Sequence, residues 1–326
     1  MKCRSCRGPA VIDLPRHNAN FCGEHLVAFC REQVRRAIAE FEMLEEGDRV
    51  LVAVSGGKDS LALWDILDHL GYETTGLYIG LGIGDYSEDS AEFVRHFARE
   101  RGAELLEVDL ASRHGYDIPG AAQRTKRTPC SACGLSKRHI FDREALAGGH
   151  AAVATGHNLD DEAAVLFGNV LRWQLDYLAR QRPVLPARDG LPRKVKPLVR
   201  LTERETAAYC IVSGIDYQVE ECPMSAGNKH IGYKEALNDI EATSPGSKAD
   251  FYLSFQRRAV QHFEQLGATA REALRTCTSC GAPSPSDTCA FCRLESMAGQ
   301  PVELRSERTA IGDHSTTTTT GTMDET

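Results

Sequence analysis

A short glycine-containing segment, residues 55–60 (SGGKDS), is the strongest constraint on how this chain can fold. It follows an apolar run at residues 49–54 (RVLVAV), which predicts a buried strand, and it precedes a helical pattern at about residues 59–70. Glycines let backbone N–H groups approach an anion closely, and the N-terminus of the following helix adds free N–H groups and the positive end of its dipole. The segment therefore predicts a phosphate-binding loop, although its spacing is not the GxxxxGKS/T pattern.

The region around this loop alternates short apolar runs with longer helical patterns. The pattern predicts further strands at residues 74–79, 104–109, 151–155 and 215–220. It predicts helices at about residues 26–44, 87–101, 134–147, 159–173 and 202–213. This rhythm indicates an α/β fold with a doubly wound parallel sheet, helices on both of its faces, and ligands at the carboxyl ends of its strands.

Cysteine groups and composition divide the chain into four parts. A Cys/His module at 1–25 precedes a catalytic domain at 26–270, a second cysteine module occupies 271–295, and the polar, Thr-rich stretch 296–326 is predicted to be a disordered tail. No stretch approaches the roughly 20 apolar residues that a membrane span needs, and no apolar segment of a signal peptide follows Met1. We therefore expect a cytoplasmic protein that does not enter a membrane.

Charge is unevenly distributed along the sequence. The formal net charge of −8 argues against non-specific coating of nucleic acid. Residues 180–204 nevertheless hold eight Lys/Arg and two acidic residues, and residues 113–143 hold seven and two. Two solvated faces would explain these segments, but the second one surrounds a cysteine pair, which favours a surface that binds a polyanion.

A second segment, residues 155–161 (TGHNLDD), follows the fourth predicted strand. It places Gly156 and two carboxylates at the same edge of the sheet as the glycine loop. Carboxylates at that edge, Asp161 above all, could hold Mg²⁺ on bound phosphates or handle a proton. The structural alternative is a helix that begins at an Asn158 cap with acidic residues in its first turn, and both interpretations can hold together.

Three cysteines are expected to meet at this edge of the sheet: Cys130 and Cys133 in a PCxxCG segment, and Cys222 in a Cys-Pro pair. Their spacing allows a three-cysteine iron–sulfur cluster with one open iron, a redox pair that passes sulfur as a persulfide, or a structural zinc. Three ligands disfavour a closed zinc site. The residues alone do not separate the first two alternatives.

Two further cysteine sets have the spacing of closed tetrahedral zinc sites. Of the twelve cysteines, only Cys30 and Cys210 then remain, and their apolar helical surroundings predict buried packing residues. Such zinc sites stabilise short loops that lack a core, and a contribution to gripping RNA is a further hypothesis. The N-terminal set is Cys3, Cys6, Cys22 and His25, and the C-terminal set is Cys277, Cys280, Cys289 and Cys292.

Taken together and in this order, these motifs resemble those of the TtuA-type tRNA 2-thiouridine synthetases, a group of PP-loop ATP pyrophosphatases. The resemblance covers roughly residues 1–295. It implies that ATP adenylates the C2 oxygen of a tRNA uridine, with a T-loop uridine favoured, and that sulfur then replaces the activated oxygen. It also implies a homodimer and a ubiquitin-like sulfur-carrier protein with a C-terminal thiocarboxylate.

The same resemblance assigns roles to individual residues. A [4Fe-4S] cluster is expected on Cys130, Cys133 and Cys222, and Lys137 and Asp161 match positions at the nucleotide and the reacting centre. The expected contacts to ATP and its Mg²⁺ are Ala53, Ser55, Gly56, Gly57, Lys58, Asp59, Ser60, Ile79, Lys137, Gly156 and Asp161.

Other functions remain possible on the sequence alone. A wobble-uridine or cytidine 2-thiolase of the same superfamily shares the loop and the cysteines. An amidating or ligating PP-loop enzyme would leave the three central cysteines without a role. A zinc-stabilised RNA-binding protein without catalysis would not need the SGGKDS loop or Asp161.

Overall fold

The computed structural model describes residues 1–188, 190–225, 229–267 and 274–299. The chain begins with a small module whose two strands, β1 (Ile12–Leu14) and β2 (Ala19–Phe21), pair antiparallel. The predicted disordered tail falls almost entirely outside the described residues. No helix within the described residues has the length and apolar character needed to cross a membrane.

A large central unit follows, and it starts with α1 (Gly23–Glu40), which continues directly from the first module. A C-terminal module then completes the described chain. The remaining elements of the central unit are β3 (Arg49–Val54), α2 (Lys58–His69), β4 (Glu73–Gly80), α3 (Gly84–Arg101), β5 (Glu104–Asp109), α4 (Leu110–His114), α5 (Ile118–Thr125), α6 (Pro129–Ala147), β6 (Ala152–Thr155), α7 (Leu159–Leu171), α8 (Leu175–Leu178), β7 (Val184–Leu185), β8 (Arg193–Val195), α9 (Glu203–Ser213), α10 (Lys229–Thr243), α11 (Ser247–Ser254) and α12 (Val260–Gly267). The C-terminal module consists of β9 (Arg275–Thr276), β10 (Pro283–Ser284) and α13 (Ala290–Ala298).

The central sheet has six strands in the order β5-β4-β3-β6-β8-β7. All neighbouring strands run parallel except β7, which pairs antiparallel with β8 at one edge. Side chains alternate between the faces of a strand, and on β3 this sends Val50 and Val52 into one apolar core and Leu51 into another. Both faces of the sheet are therefore covered, which confirms the predicted doubly wound α/β fold.

One predicted strand is wrong. Residues 215–220 form no strand, and the fifth parallel position is taken by β8, which pairs with β6. The backbone N–H of Gln218 instead donates to the carbonyl oxygen of Gly56 at 2.9 Å. The segment thus lies against the glycine loop, because its hydrogen-bonding groups are used there rather than in a ladder.

Helix α6 begins five residues earlier than the pattern predicts. The Thr128 side chain accepts a hydrogen bond from the Ser131 N–H, and Pro129 occupies the first turn, where its missing N–H costs no hydrogen bond. Cys130 and Cys133 are consequently on the first turns of a helix rather than in a loop before it.

Both cysteine modules are anchored to the central unit. Arg16 of the N-terminal module forms a buried ion pair with Glu205 at 2.5 Å, and Glu205 is fully buried at the start of α9. On the other side, the ring of Phe291 stacks on His139 of α6 with centroids 3.9 Å apart. The Nδ1 atom of His114 lies 2.7 Å from a carboxylate oxygen of Glu295.

Candidate functional site

A cavity of about 620 Å³ lies at the carboxyl ends of β3, β4 and β6. It brings the glycine loop and the three central cysteines to one place, as the sequence predicts. The predicted residues on its wall are Ala53, Ser55, Gly57, Asp59, Ser60, Ile79, Cys130, Cys133, Lys137, Gly156 and Cys222.

The glycine loop closes tightly between β3 and α2. The hydroxyl oxygen of Ser60 accepts from the Ser55 N–H at 3.1 Å and donates to the Gly57 carbonyl at 2.9 Å. Gly56 has a φ of 78°, and a Cβ there would lie 2.8 Å from the Ser90 carbonyl oxygen. These bonds leave the amino end of α2 facing the cavity, where it can hold an anion.

Gly156 is required by close contact between the fourth predicted strand and the loop. A Cβ on this residue would lie 2.9 Å from the backbone nitrogen of Ser60, closer than atoms pack. The backbone after β6 therefore rests directly against the start of α2, which explains why a glycine stands here.

Asp59 is the only carboxylate on the cavity wall within the described residues. Its Oδ1 atom accepts hydrogen bonds from Asn158, at 3.0 Å, and from Thr206. Burial raises the pKa of the Asp59 carboxyl, while the Lys58 ammonium and these two hydrogen bonds act in the opposite direction. Asp59 is thus held rigidly with its charge partly compensated.

Three predicted ATP contacts, Gly56, Lys58 and Asp161, are not on the cavity wall. The Lys58 ammonium lies 2.7 Å from Glu203 and 3.2 Å from Asp59. Asp161 forms a capping box with Asn158, which confirms the helix cap predicted there, and its other oxygen lies 2.6 Å from the Lys234 ammonium. Both carboxylate oxygens of Asp161 are therefore engaged.

The central cysteines approach the cavity from two segments. Cys130 and Cys133 lie one helical turn apart at the amino end of α6, where the helix dipole favours thiolates. Cys222 comes from the irregular segment after α9, four residues beyond Gln218. Cys130 is exposed and the other two are half-buried, and all three are free thiols.

The surroundings of Cys133 connect these thiols electrostatically. Burial raises the pKa of the Cys133 thiol, the Lys137 ammonium one turn along α6 opposes that effect, and the neighbouring Cys222 and Cys130 add to it. Lys137 also faces the cavity, so its charge is available both to a thiolate and to a bound phosphate.

The ligand atoms of each terminal set lie closer to one another than the sulfur atoms of the three central cysteines do. The ligand atoms of Cys3, Cys6, Cys22 and His25 all lie within 4.8 Å of one another, and so do those of the four C-terminal cysteines. Across the described chain, the three central cysteines form no such set. Sulfur pairs in the C-terminal set are 3.7 and 3.9 Å apart, which is close to the roughly 3.8 Å edge of a tetrahedron with 2.3 Å metal–sulfur bonds.

Backbone hydrogen bonds to sulfur in the C-terminal set favour the thiolate form, which is the form that binds a metal ion. The Cys289 N–H donates to the Cys277 sulfur at 3.2 Å. This hydrogen bond has the largest effect among several that together lower the pKa of the Cys277 thiol to about 6. Cys30 and Cys210, which belong to neither set, are fully buried as predicted.

Several residues around the cavity escape prediction from the sequence. The Gln218 side chain donates to the Tyr86 carbonyl at 3.1 Å and contacts Ser90, so it ties α3 to the loop. Lys234 of α10 contacts Asp161 and also Glu203, at 3.4 Å. No local pattern marks these residues, because each acts on a segment distant in sequence.

Comparisons with known proteins agree with this geometry. Residues 2–27 match the family described as "2-thiouridine synthetase TtuA, N-terminal LIM domain", and residues 30–226 match the family described as "PP-loop domain". A U34-tRNA thiolase NcsA from Methanococcus maripaludis, solved with its [4Fe-4S] cluster, has the same fold with a TM-score of 0.74 and 24% identity. That match covers 94% of this chain and 99% of the other.

Two relatives share the name tRNA-5-methyluridine(54) 2-sulfurtransferase. The one from Thermus thermophilus is 49% identical over 90% of this chain and 91% of its own length. The one from Pyrococcus horikoshii is 39% identical over 90% and 93%. The chain belongs to the TtuA family of PP-loop sulfurtransferases.

Proposed function

We propose that this enzyme replaces the C2 oxygen of uridine 54 in tRNA by sulfur, at the expense of ATP. The single observation that carries the proposal is the shared cavity, which has the glycine loop on one wall and three cysteines on another. The names of the two relatives support position 54 as the target.

The reaction has two steps. The C2 oxygen first attacks the α-phosphorus of ATP, so that a C2–O–AMP linkage forms and pyrophosphate leaves. Sulfide (HS⁻) then attacks C2 and gives up its proton, the C–S bond forms, the C–O bond breaks, and AMP leaves with the oxygen. A carbonyl oxygen is a poor leaving group, which is why a nucleotide loop belongs beside a sulfur centre.

The chain's own residues bind and orient the nucleotide. Backbone N–H groups at the amino end of α2 hold phosphate oxygens, and Lys137 stabilises charge that develops during adenylation. We assign Mg²⁺ to Asp59, since it is the carboxylate that faces the cavity. Asp161 supports it indirectly, because it caps Asn158, which in turn donates to Asp59.

The central cysteines fit a [4Fe-4S] cluster better than a single ion. Their sulfurs are spread more widely than those of the terminal sets, two of the three residues are half-buried and Cys130 is exposed, and all three lie on the cavity wall. Cys130, Cys133 and Cys222 would hold such a cluster, which would supply one iron without a protein ligand as a place for the incoming sulfide. The terminal sets have the narrow tetrahedral spacing of zinc sites, and we propose one Zn²⁺ in each.

The remaining proposals concern the setting of the reaction. We place the enzyme in the cytoplasm, in keeping with twelve free cysteines. A ubiquitin-like sulfur carrier and a homodimer stay predictions from the family resemblance.

One assay tests the function. The enzyme is reconstituted anaerobically with iron and sulfide and is then given ATP, sodium sulfide as the sulfur source and a tRNA transcript, and thiolated positions are mapped by mass spectrometry. We expect one 2-thiouridine at position 54 and one AMP for each. Cys222→Ala is expected to lose both the thiolation and the visible iron–sulfur absorbance, whereas Cys30→Ala, at a buried cysteine outside the site, keeps them.

Three results would contradict the proposal. ADP as the product would exclude adenylation. Thiolation at the wobble uridine or at a cytidine would assign the enzyme to a sister group. An unchanged cluster in Cys222→Ala would exclude the three-cysteine set.

A further inference from the structure

A second cavity, of about 470 Å³, lies between α6 and the C-terminal module. We call it the α6 cleft. The hairpin of β7 and β8 closes one end of it. The residues that matter here are Arg138, His139, Arg143, Lys194, Pro283 and Phe291, all on its wall.

Helix α6 separates this cleft from the catalytic cavity. Cys133, Lys137 and Phe141 face the cavity, whereas Arg138, Asp142 and Leu146 face the cleft. Within each set the residues are four positions apart, and the second set is offset from the first by one position along the chain. The two sets therefore occupy different faces of one helix. A helix is about 10 Å across, a distance that a duplex covers in about three base pairs.

The cleft carries positive charge that the protein does not neutralise. Lys194 pairs with Asp142 at 2.7 Å. Arg138 and Arg143 are exposed and neither forms an ion pair within the described residues, although the charge of Arg138 also acts on the Asp142 carboxyl. Arg188 is exposed beside the cleft, where its backbone pairs with Leu191 on the cleft wall. The cleft wall thus carries Arg138, Arg143 and Lys194 against the single carboxylate of Asp142 within the described residues, and this excess of positive charge on a chain with net charge −8 marks a local site for a polyanion.

The walls of the cleft also suit a nucleic-acid strand better than a small anion. Leu146 is half exposed at its edge, and the stacked rings of His139 and Phe291 form its floor. Guanidinium groups match phosphate oxygens in geometry, and apolar surface between them can contact sugars. A base that enters the catalytic cavity must keep its flanking strand within about one helix diameter, which is where this cleft lies.

We propose that the α6 cleft binds the phosphate backbone of the RNA substrate beside the nucleotide that enters the catalytic cavity. The C-terminal module thereby forms one wall of the substrate site as well as stabilising the fold. This inference rests on the proposed function, since it needs an RNA substrate.

The test measures tRNA binding by fluorescence anisotropy at several salt concentrations, using reconstituted full-length enzyme. The variants are Arg143→Ala, Arg188→Ala and the double variant, with Arg143→Lys as the conservative change. Arg99→Ala, at an exposed arginine of α3, is the matched control. Arg138 is left unchanged because its charge also acts on the Cys133 thiol.

Each alanine variant should lower the slope of log K against log salt by about 0.9, which is roughly an eightfold weaker Kd near 0.1 M salt. KM for tRNA should rise while kcat stays near that of the wild type. Arg143→Lys should bind more tightly than Arg143→Ala, and Arg99→Ala should match the wild type.

Two outcomes would overturn the inference while leaving the proposed function intact. In one, the double variant binds tRNA with unchanged Kd and salt slope although the wild type thiolates it. In the other, tRNA binding is unchanged but sulfur transfer from a protein donor is lost, which would assign the cleft to an acidic protein. If the wild type itself binds no tRNA, the proposed function fails as well.

Discussion

The terminal cysteine sets and the central three cysteines show how one residue type serves two purposes. Each terminal set brings four candidate ligand atoms within 4.8 Å of one another, which is the number that a closed tetrahedral site uses. The central set has three, which are more widely spaced and open to a cavity on one side. A closed ligand set stabilises a fold, whereas a set with an open side can bind a reactant.

The two kinds of set also differ in how the chain assembles them. The four C-terminal ligands come from sixteen consecutive residues, and N–H groups of the same loops donate to their sulfurs. The central set instead needs α6 and a segment almost ninety residues further along. Reactive geometry therefore depends on the tertiary fold, while the terminal sets depend on local sequence.

The largest expected effect separates activity from stability at the central set. Cys133→Ser should reduce thiolation by more than about 100-fold, the upper limit for removing a group that merely supports a metal ligand. The free energy of unfolding should change by about 1 kcal/mol, since the residue lies on a cavity wall. Single-turnover thiolation and denaturant unfolding measure the two quantities. A large loss of stability would mean that the central set is structural after all.

At the C-terminal set, a substitution is expected to affect stability rather than to act directly on the reaction. Cys277→Ser should release one metal ion per chain and lower the free energy of unfolding by several kcal/mol, because metal binding and folding of such loops are coupled. Metal content and denaturant unfolding report on this change. A stable variant that retains both ions would contradict the structural role of this set.

A smaller, pH-dependent effect is expected where the N-terminal module meets the central unit. Burial would raise the pKa of the Glu205 carboxyl, but the His17 imidazole, 3.4 Å away, and the Arg16 guanidinium outweigh it and hold the pKa at about 2. Because this value is below the unfolded value of 4.5, the contribution to stability is complete above about pH 4.5 and is lost as the pH falls towards 2. The shift corresponds to about 3 kcal/mol.

Glu205→Gln should therefore lose stability at neutral pH and respond less to acid than the wild type between pH 4.5 and 2. Glu32→Gln is the matched control, since Arg35 also holds the pKa of Glu32 at about 2 but solvent screens that surface pair. Unfolding curves across this pH range measure both. Equal effects of the two variants would show that the Arg16–Glu205 pair contributes no more than a surface pair.

The sequence was sufficient to predict those features that depend on neighbouring residues. The strands at 49–54 and 104–109 have their predicted bounds, and the SGGKDS loop and both terminal sets follow from spacing. Features that depend on contacts between segments distant in sequence could not be predicted. Strand β8 has only three residues, two of them basic, so pairing with β6 rather than an apolar pattern defines it. Nothing in the sequence near Asp161 predicts Lys234, whose ammonium lies 2.6 Å from its carboxylate.

The hydrogen bond from Gln218 to Gly56 has a consequence for biosynthesis. The ribosome synthesises the glycine loop early. The carbonyl of Gly56 gains its hydrogen bond only after Gln218, more than 150 residues later in the chain, has been synthesised. Cys222 leaves the ribosome only four residues after that partner. The nucleotide loop and the third thiol are therefore completed in the same stage of translation, so a nascent chain that ends before Gln218 has neither.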